Sequence, residues 1–179
     1  MGLKVTFLYP DFFQYDEERY LPEGRIYLGI GYLSAYLKRE VHRTSLIHLV
    51  RPVGREELQA RIAEESPDLL AVSSTTHMFP HVRRWVSWIK EKGDLFTVCG
   101  GAHPTLDPVG ALRDAPLDAV CLGEGEEALA ELCAALEEGR DPSGIASLWV
   151  RRGGEIRRNP VRPLVEDLDT LPFPDREIF

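Results

Sequence analysis

Short apolar runs that favour strands alternate with helical spacing along the first 140 residues of the chain. Five β-prone runs bounded by polar or turn-forming residues predict strands at 3–9, 44–50, 68–73, 95–99 and 118–122. Apolar spacing and capping residues predict helices beginning near Ile26, over 55–65, from Pro80, from Pro108 behind a capping Asp107, and over 126–138. Strands that alternate with helices are typical of one parallel sheet covered on both faces.

This pattern predicts an α/β fold built on a five-stranded doubly wound parallel sheet, Rossmann-like or flavodoxin-like. The strand order 2-1-3-4-5 is expected by analogy with other five-stranded doubly wound domains. The stretch between the first strand and first helix, residues 11–25, is expected to be irregular, with the acidic run 16–18 solvated. We assign residues 1–143 to this α/β domain.

The pattern changes beyond Gly144. Two β-prone runs flank Gly153-Gly154, and these glycines supply the positive φ angles of a tight turn, which predicts a C-terminal β-hairpin. Several prolines exclude a long helix from the last twenty residues, so we expect an extended tail whose apolar side chains pack over another part of the molecule. Residues 144–179 are therefore expected to form a hairpin and an extended linker.

Composition narrows the classes of function. With 44% hydrophobic and 28% charged residues, the 179-residue chain suits one globular core, and its net charge of -8 disfavours binding to nucleic acid. No apolar run approaches the roughly 20 residues that cross a bilayer, and no signal-peptide pattern is present, so a cytoplasmic location without a membrane partner is expected. The widely spaced Cys99, Cys121 and Cys133 suggest buried apolar positions, with neither disulfides nor a zinc or iron–sulfur ligand set.

Candidate chemistry lies in three loops, because ligands of open α/β sheets bind at the carboxyl ends of the strands. These loops contain Ser73-Ser74-Thr75-Thr76-His77, Gly100-Gly101-Ala102-His103-Pro104-Thr105 and Gly123-Glu124-Gly125-Glu126. Small side chains and glycines leave a slot in which a large flat or extended ligand can approach the backbone. The fingerprint glycines of dinucleotide sites, a Walker A lysine and a hydrolase elbow are all missing, and no catalytic set or metal site is recognisable.

Each loop also has a purely structural interpretation. The two glycines at 100 and 101 could form a tight turn, the Ser/Thr run could cap a helix, and the glutamates could favour a helix N-terminus. Histidines 77 and 103 could be solvated. The coincidence of three permissive loops at one edge of the sheet favours a ligand site.

Six segments in a fixed order carry a resemblance to a known family. They are Pro10, Leu28-Gly29-Ile30-Gly31-Tyr32-Leu33, Pro67-Asp68, the Gly100 to Thr105 loop, Gly123-Glu124-Gly125-Glu126-Glu127, and Asp167-Leu168-Asp169-Thr170-Leu171-Pro172-Phe173-Pro174. In this order they resemble the N-terminal cobalamin-binding domain of radical S-adenosylmethionine proteins. In that family the last two segments precede a barrel domain with a Cys-x-x-x-Cys-x-x-Cys motif, which this sequence lacks. The resemblance implies a fragment, with the 4Fe-4S cluster and S-adenosylmethionine bound only by the absent domain.

The resemblance also implies cobalamin as the cofactor, with the corrin ring on the strand ends and its nucleotide tail in a channel beside Gly100 and Gly101. The implied cofactor-binding residues are Pro10, Ser73, Ser74, Thr75, Thr76, His77, Gly100, Gly101, His103, Pro104, Thr105, Gly123, Glu124, Gly125 and Glu126. The Asp-x-His-x-x-Gly motif of other corrinoid domains is absent, since Asp11-Phe12-Phe13-Gln14-Tyr15 contains no histidine. This departure implies base-off cobalamin without an imidazole from the strand-one loop, the lower face holding water or no ligand.

The function implied is that of a cobalamin-binding module in a radical S-adenosylmethionine enzyme that supports methyl transfer through cobalt. Three alternatives stay open at this stage. The domain could have lost cofactor binding and serve as a structural or interaction module. It could be a receiver-like signalling domain, although that class needs an aspartate where strand three ends in Ser73. It could be a stand-alone enzyme or flavin-type electron carrier.

Overall fold

The computed structural model describes residues 2–14, 19–22, 24 and 26–179, so the acidic run 16–18 lies outside the described residues. The strands are β1 (Lys4–Pro10), β2 (Phe12–Gln14), β3 (Tyr20–Pro22), β4 (Arg43–Leu49), β5 (Leu69–Ser73), β6 (Phe96–Gly100), β7 (Ala119–Cys121), β8 (Leu148–Arg152) and β9 (Glu155–Arg158). The α-helices are α1 (Leu28–Arg39), α2 (Arg55–Glu65), α3 (Phe79–Lys90), α4 (Ala102–Leu106), α5 (Pro108–Asp114) and α6 (Glu126–Glu137). Short 3-10 turns lie at Pro142–Gly144 and Leu168–Thr170.

The main sheet has the order β4-β1-β5-β6-β7-β8-β9, with parallel pairing from β4 to β7. This confirms the doubly wound fold and the strand order 2-1-3-4-5. The C-terminal hairpin pairs antiparallel with β7 and so extends the same sheet by two strands. Ser73 pairs with Gly100, and therefore two of the candidate loops leave the sheet side by side.

The two faces of the sheet have separate apolar cores. One face packs against α2, α3 and α5, where Trp85 is 1% exposed. The other packs against α1 and α6, through residues such as Ile30 and Leu132. The cysteines are free and buried as predicted, and burial raises the pKa of all three thiols to about 12. They are therefore protonated packing residues.

The stretch after β1 differs from the irregular segment we predicted. Strands β2 and β3 form a small antiparallel ribbon, which Phe12 and Tyr20 fasten to α3 through edge-to-face contacts with each other and with His81. Three-residue strands are too short for a sequence pattern to reveal. The first helix begins at Leu28, and Ile26, placed on its apolar face from spacing, lies before it and is 57% exposed.

The segment after β6, predicted as a loop, contains the short helix α4. Gly101 precedes it with φ 98°, and Pro104 lies in its first turn, where proline costs no backbone hydrogen bond. The next helix, α5, begins as predicted at Pro108, and the Asp107 carboxylate accepts the Gly110 N–H at 2.9 Å.

The C-terminal tail, residues 159–179, is extended as predicted apart from the turn at Leu168–Thr170. Its attachment differs in part from the prediction. Leu164, Leu168 and Phe173 are 71%, 65% and 96% exposed, whereas Ile178 packs against the core on the α1 and α6 face. Polar contacts with α1 and with the start of α6 also hold the tail. None of the helices in the described ranges is long and apolar enough to cross a membrane.

Candidate functional site

A crevice with a volume of about 170 Å³ opens at the carboxyl ends of β5, β6 and β7, on the face covered by α1 and α6. Helix α1 contributes one wall, and the loop after β7 with the start of α6 contributes the other. The lining residues are Phe7, Tyr27, Gly29, Ile30, Leu33, Ala71, Val72, Ser73, Val98, Gly100, Gly101, Cys121, Gly123, Glu124, Gly125, Glu126 and Leu129. The crevice is therefore largely apolar.

Glycine makes this space at one position and shapes the backbone at the next. A Cβ at Gly100 would meet nothing in the described part of the chain closer than the Cys121 Cβ at 3.9 Å, so the side-chain direction of Gly100 is open. Gly101 has φ 98°, and a Cβ there would lie 2.8 Å from the Ser74 carbonyl oxygen. Gly101 is thus required by the turn, whereas the missing side chain of Gly100 leaves room for a ligand.

Seven of the predicted site residues line the crevice together: Ser73, Gly100, Gly101, Gly123, Glu124, Gly125 and Glu126. Pro10 is the buried last residue of β1 and lies outside it. His77 is exposed at the turn before α3 and also lies outside it.

The Ser- and Thr-rich loop after β5 forms most of its hydrogen bonds with backbone atoms. Ser74 is 2% exposed, and its N–H donates to the Gly100 carbonyl at 2.9 Å while its hydroxyl donates to the Thr75 carbonyl. The Thr75 carbonyl accepts the N–H groups of Met78 and Phe79 where α3 begins. These contacts fix the loop beside the crevice and leave the exposed Thr76 outside this backbone network.

His103, Pro104 and Thr105 lie on α4 at the rim. The His103 ring stacks on Phe79 with 3.9 Å between centroids, and its Nδ1 lies 3.3 Å from the Thr76 Oγ1. Its Nε2 is buried without a hydrogen-bond partner among the described residues. Pro104 is buried, and the Thr105 Oγ1 accepts the Gly123 N–H at 3.4 Å, which links the loops after β6 and β7.

Two carboxylates, Glu124 and Glu126, lie in the wall formed by the loop after β7 and the start of α6. Burial, reinforced by Glu124 and Glu127 nearby, raises the pKa of Glu126 and favours its protonated form. The Glu124 Oε2 accepts the Val165 N–H of the C-terminal tail at 2.7 Å. Within the described residues, no group of three or more His, Cys, Asp or Glu side chains could hold a metal ion.

The rim beside β1 carries an acid–base pair and a ring stack. The His48 Nε2, from the end of β4, donates to the Asp11 Oδ2 at 2.8 Å, and Asp11 is 1% exposed. Tyr9 stacks against both Tyr27 and His48, with centroid distances of 5.4 Å in each case. Tyr27 therefore connects this stack to the mouth of the crevice.

The α1 wall was not among the predicted site residues. Tyr27, Gly29, Ile30 and Leu33 line the crevice, and a Cβ at Gly29 would lie 3.2 Å from the Tyr27 ring. Glycine in a helix costs roughly 1 kcal/mol relative to alanine. Gly29 and Gly31 in the first turns of α1 are therefore a signal, visible in the sequence, that another group approaches the helix backbone closely. That signal could have identified this wall.

The model of the B12 binding domain family matches residues 26–133, more than half of the chain. The chain belongs to the B12-binding domain family. The matched range of this B12-binding domain includes α1 and the candidate loops after β5, β6 and β7.

Relatives and structural neighbours of the B12-binding domain are much longer proteins. An uncharacterised methyltransferase of Pyrococcus horikoshii is 32% identical over 155 residues, which is 85% of this chain and 34% of that protein. An anaerobic magnesium-protoporphyrin IX monomethyl ester cyclase of Rubrivivax gelatinosus is 29% identical over 153 residues, covering 79% and 27%. The radical S-adenosylmethionine methyltransferase TsrM of Kitasatospora setae, solved with cobalamin and a [4Fe-4S] cluster, shares this fold with a TM-score of 0.77 at 20% identity, covering 99% and 32%. The B12-binding domain thus spans about a third of the length of these proteins.

Proposed function

We propose that the chain binds cobalamin base-off, with its nucleotide tail inserted in the crevice beside Gly100, as the cofactor module of a radical S-adenosylmethionine methyltransferase. The observation that carries this proposal is the open side-chain direction of Gly100. Among the described residues, only the Cys121 Cβ lies within 4 Å of the place that a Cβ on Gly100 would take. A structural turn alone would require Gly101 and would leave residue 100 free to carry a side chain.

The size of the crevice supports a binding mode in which only part of the cofactor lies inside it. Pockets that enclose a whole drug-sized ligand measure roughly 300–1,000 Å³, and this crevice measures about 170 Å³. It suits a slender part of a ligand, such as the nucleotide tail, while the broad ring rests outside. The exposed Thr75, Thr76 and Gly123 at the rim leave the strand ends accessible to such a ring.

The residues of the chain would bind and orient the cofactor, and cobalamin when bound supplies methyl-group transfer at its cobalt. Ser73 and Glu126 offer polar side chains to the nucleotide tail in the crevice, and burial raises the pKa of the Glu126 carboxyl. Thr76 and His103 would face the ring amides from the rim, and Pro10, Ser74, Pro104 and Thr105 would support these loops. His77 would contact the ring from its exposed turn.

The base-off form is supported by the residues between β1 and α1. No histidine occurs between Asp11 and Tyr27. The imidazole of His48 is held at that rim by the buried carboxylate of Asp11. We therefore propose that no imidazole of the strand-one loop reaches the lower face of the corrin.

The methyltransferase assignment rests on the P. horikoshii relative, of which this chain matches 34%. We propose that residues 1–143 form the cobalamin domain and that residues 144–179 lead to a radical S-adenosylmethionine domain. That domain would bind the 4Fe-4S cluster and S-adenosylmethionine. We further propose that the protein works in the cytoplasm, without nucleic-acid or membrane partners.

Titration with hydroxocobalamin tests the proposal. The chain is expected to retain the cofactor through gel filtration and to alter its visible spectrum. Gly100→Leu should abolish retention by filling the crevice. Gly54→Leu is the matched control, because a Cβ at Gly54 meets no described atom within 4 Å and Gly54 lies outside the crevice.

An unaltered spectrum with no retention by the unmodified chain would contradict the proposal and favour a domain that has lost cofactor binding. Equal retention by the Gly100→Leu variant would place the cofactor elsewhere on the domain.

A further inference from the structure

The C-terminal tail contacts the α6 side of the crevice. The Val165 N–H donates to the Glu124 Oε2 at 2.7 Å, and Glu124 itself lines the crevice. The Arg162 guanidinium forms ion pairs with Glu127 and Glu131 in the first turns of α6. This end of the tail is therefore fastened to the wall formed by the loop after β7 and by α6.

Further along, the tail is fastened to the opposite wall. The Asp175 N–H donates to the Gly31 carbonyl at 3.0 Å. The Asp175 Oδ2 accepts from the Ser34 hydroxyl and the Lys38 ammonium, each at 2.6 Å. A Cβ at Gly31 would lie 3.2 Å from the Asp175 carbonyl oxygen, so the tail approaches α1 as closely as its backbone permits.

Because α1 also supplies Gly29, Ile30 and Leu33 to the crevice, the tail bridges its two walls from outside. We infer that residues 159–179 set the spacing of these walls, with Asp175 as the main positioning residue, so that cobalamin affinity depends on the docked tail. This inference rests on the proposed function. Residues 159–179 would then take part in cofactor binding.

Preorganisation of the two walls links the docked tail to cofactor binding. A tail that holds both walls in place removes part of the ordering cost that a ligand would otherwise meet on binding. Binding linkage is reciprocal, so cobalamin in the crevice should stabilise the docked tail by the same factor. Leu164 and Phe173 are exposed and contribute little packing, so the polar contacts of Val165 and Asp175 are expected to hold this part of the tail, while Ile178 packs against the core beyond it.

The first test is Asp175→Ala, because Asp175 does not line the crevice whereas Glu124 does. We expect the dissociation constant for hydroxocobalamin to rise about 5-fold or more, within the usual range of coupling between two sites. Asp141→Ala is the matched control. Its carboxylate accepts the Ser143 N–H within its own turn, and Asp141 does not line the crevice.

The second test uses the unmodified chain and so does not depend on the folding of a variant. Hydrogen exchange at the Val165 and Asp175 amides should slow when hydroxocobalamin is added. Binding without a change at either amide, or an Asp175→Ala affinity equal to that of the unmodified chain, would overturn the inference and leave the proposed function standing. Failure of the unmodified chain to bind hydroxocobalamin would overturn the proposed function, and the inference with it.

Discussion

The two faces of the central sheet use side-chain size in opposite ways. On the α2 and α3 side, the large side chains of Trp85 and Phe79 are buried in a closed core. On the α1 and α6 side, the small residues Ala71, Gly100 and Cys121 line a crevice. The same strands thus support a closed core on one face and an open site on the other. The difference lies in a few small residues and not in the backbone topology.

The largest expected effect comes from opening the closed face. Trp85→Ala should lower the free energy of unfolding by about 3–5 kcal/mol, because it removes a fully buried aromatic side chain and leaves a cavity. Denaturant-induced unfolding measures the change. Trp88→Ala on the same helix is the control and should cost less, since Trp88 is only partly buried. Equal losses for both variants would show that burial of Trp85 is not what makes its packing costly to remove.

Gly101→Ala should have the next largest effect, a destabilisation of about 1–3 kcal/mol. The backbone at residue 101 has φ 98°, and the added Cβ would press on the Ser74 carbonyl oxygen. The same unfolding experiment applies. An unchanged midpoint would mean that the turn between β6 and α4 can relax to accept a side chain.

Gly100→Ala tests the neighbouring position. We expect a stabilisation of about 0.4–1 kcal/mol, because alanine reduces the entropy of the unfolded chain and meets no close neighbour among the described residues of the folded one. The same variant should bind hydroxocobalamin less tightly than the unmodified chain. A destabilisation equal to that of Gly101→Ala would show that residue 100 serves the turn and not a ligand.

The smallest expected effect on global stability comes from protonation of Asp175, which attaches the C-terminal tail to α1. Burial alone would raise the pKa of Asp175, but hydrogen bonds from Lys38 and Ser34 outweigh it and hold the pKa below its ordinary value. The stabilisation is therefore complete above the pKa of the unfolded carboxyl, about 3.9, and is lost as pH falls through the lower folded pKa. Because Lys38 is half exposed, the ion pair is partly screened and its contribution is small.

Hydrogen exchange of the tail across acidic pH measures this release. The Asp175 amide should lose protection in acid, after correction for intrinsic exchange rates, while amides of β1 keep theirs. Asp175→Asn should remove the pH dependence. A tail protected equally at all pH values in the unmodified chain would show that the carboxylate does not hold it.

The succession of strands and helices could be predicted from the sequence because each parallel strand is a distinct apolar run, as at 69–73. The strand order came by analogy with other doubly wound domains. One side of the candidate site was predicted from the sequence, and the α1 wall was not. The loops after β5, β6 and β7 were identified by small residues at strand ends, and Gly100, Gly101 and Glu126 do meet at one crevice. The α1 wall was not predicted because Tyr27 and Gly29 lie at the start of a helix. Apolar periodicity there indicates which residues pack and does not indicate which residues contact a ligand.

Other features depend on tertiary contacts that local patterns do not encode. The β2–β3 ribbon is held by rings from α3, and α4 has only five residues, so neither produces a readable repeat. The tail shows the same limit. Its apolar side chains suggested hydrophobic docking, and Ile178 does pack against the core. Asp175 and Val165 also attach it, through hydrogen bonds to partners more than 40 positions away in sequence.

The hairpin of β8 and β9 has a consequence for solubility. Without it, the three-residue, fully buried β7 would end the parallel sheet and present an apolar, unpaired backbone to neighbouring molecules. The hairpin moves that edge outward to β9, which carries Glu155, Arg157 and Arg158, and charged outermost strands resist edge-to-edge aggregation.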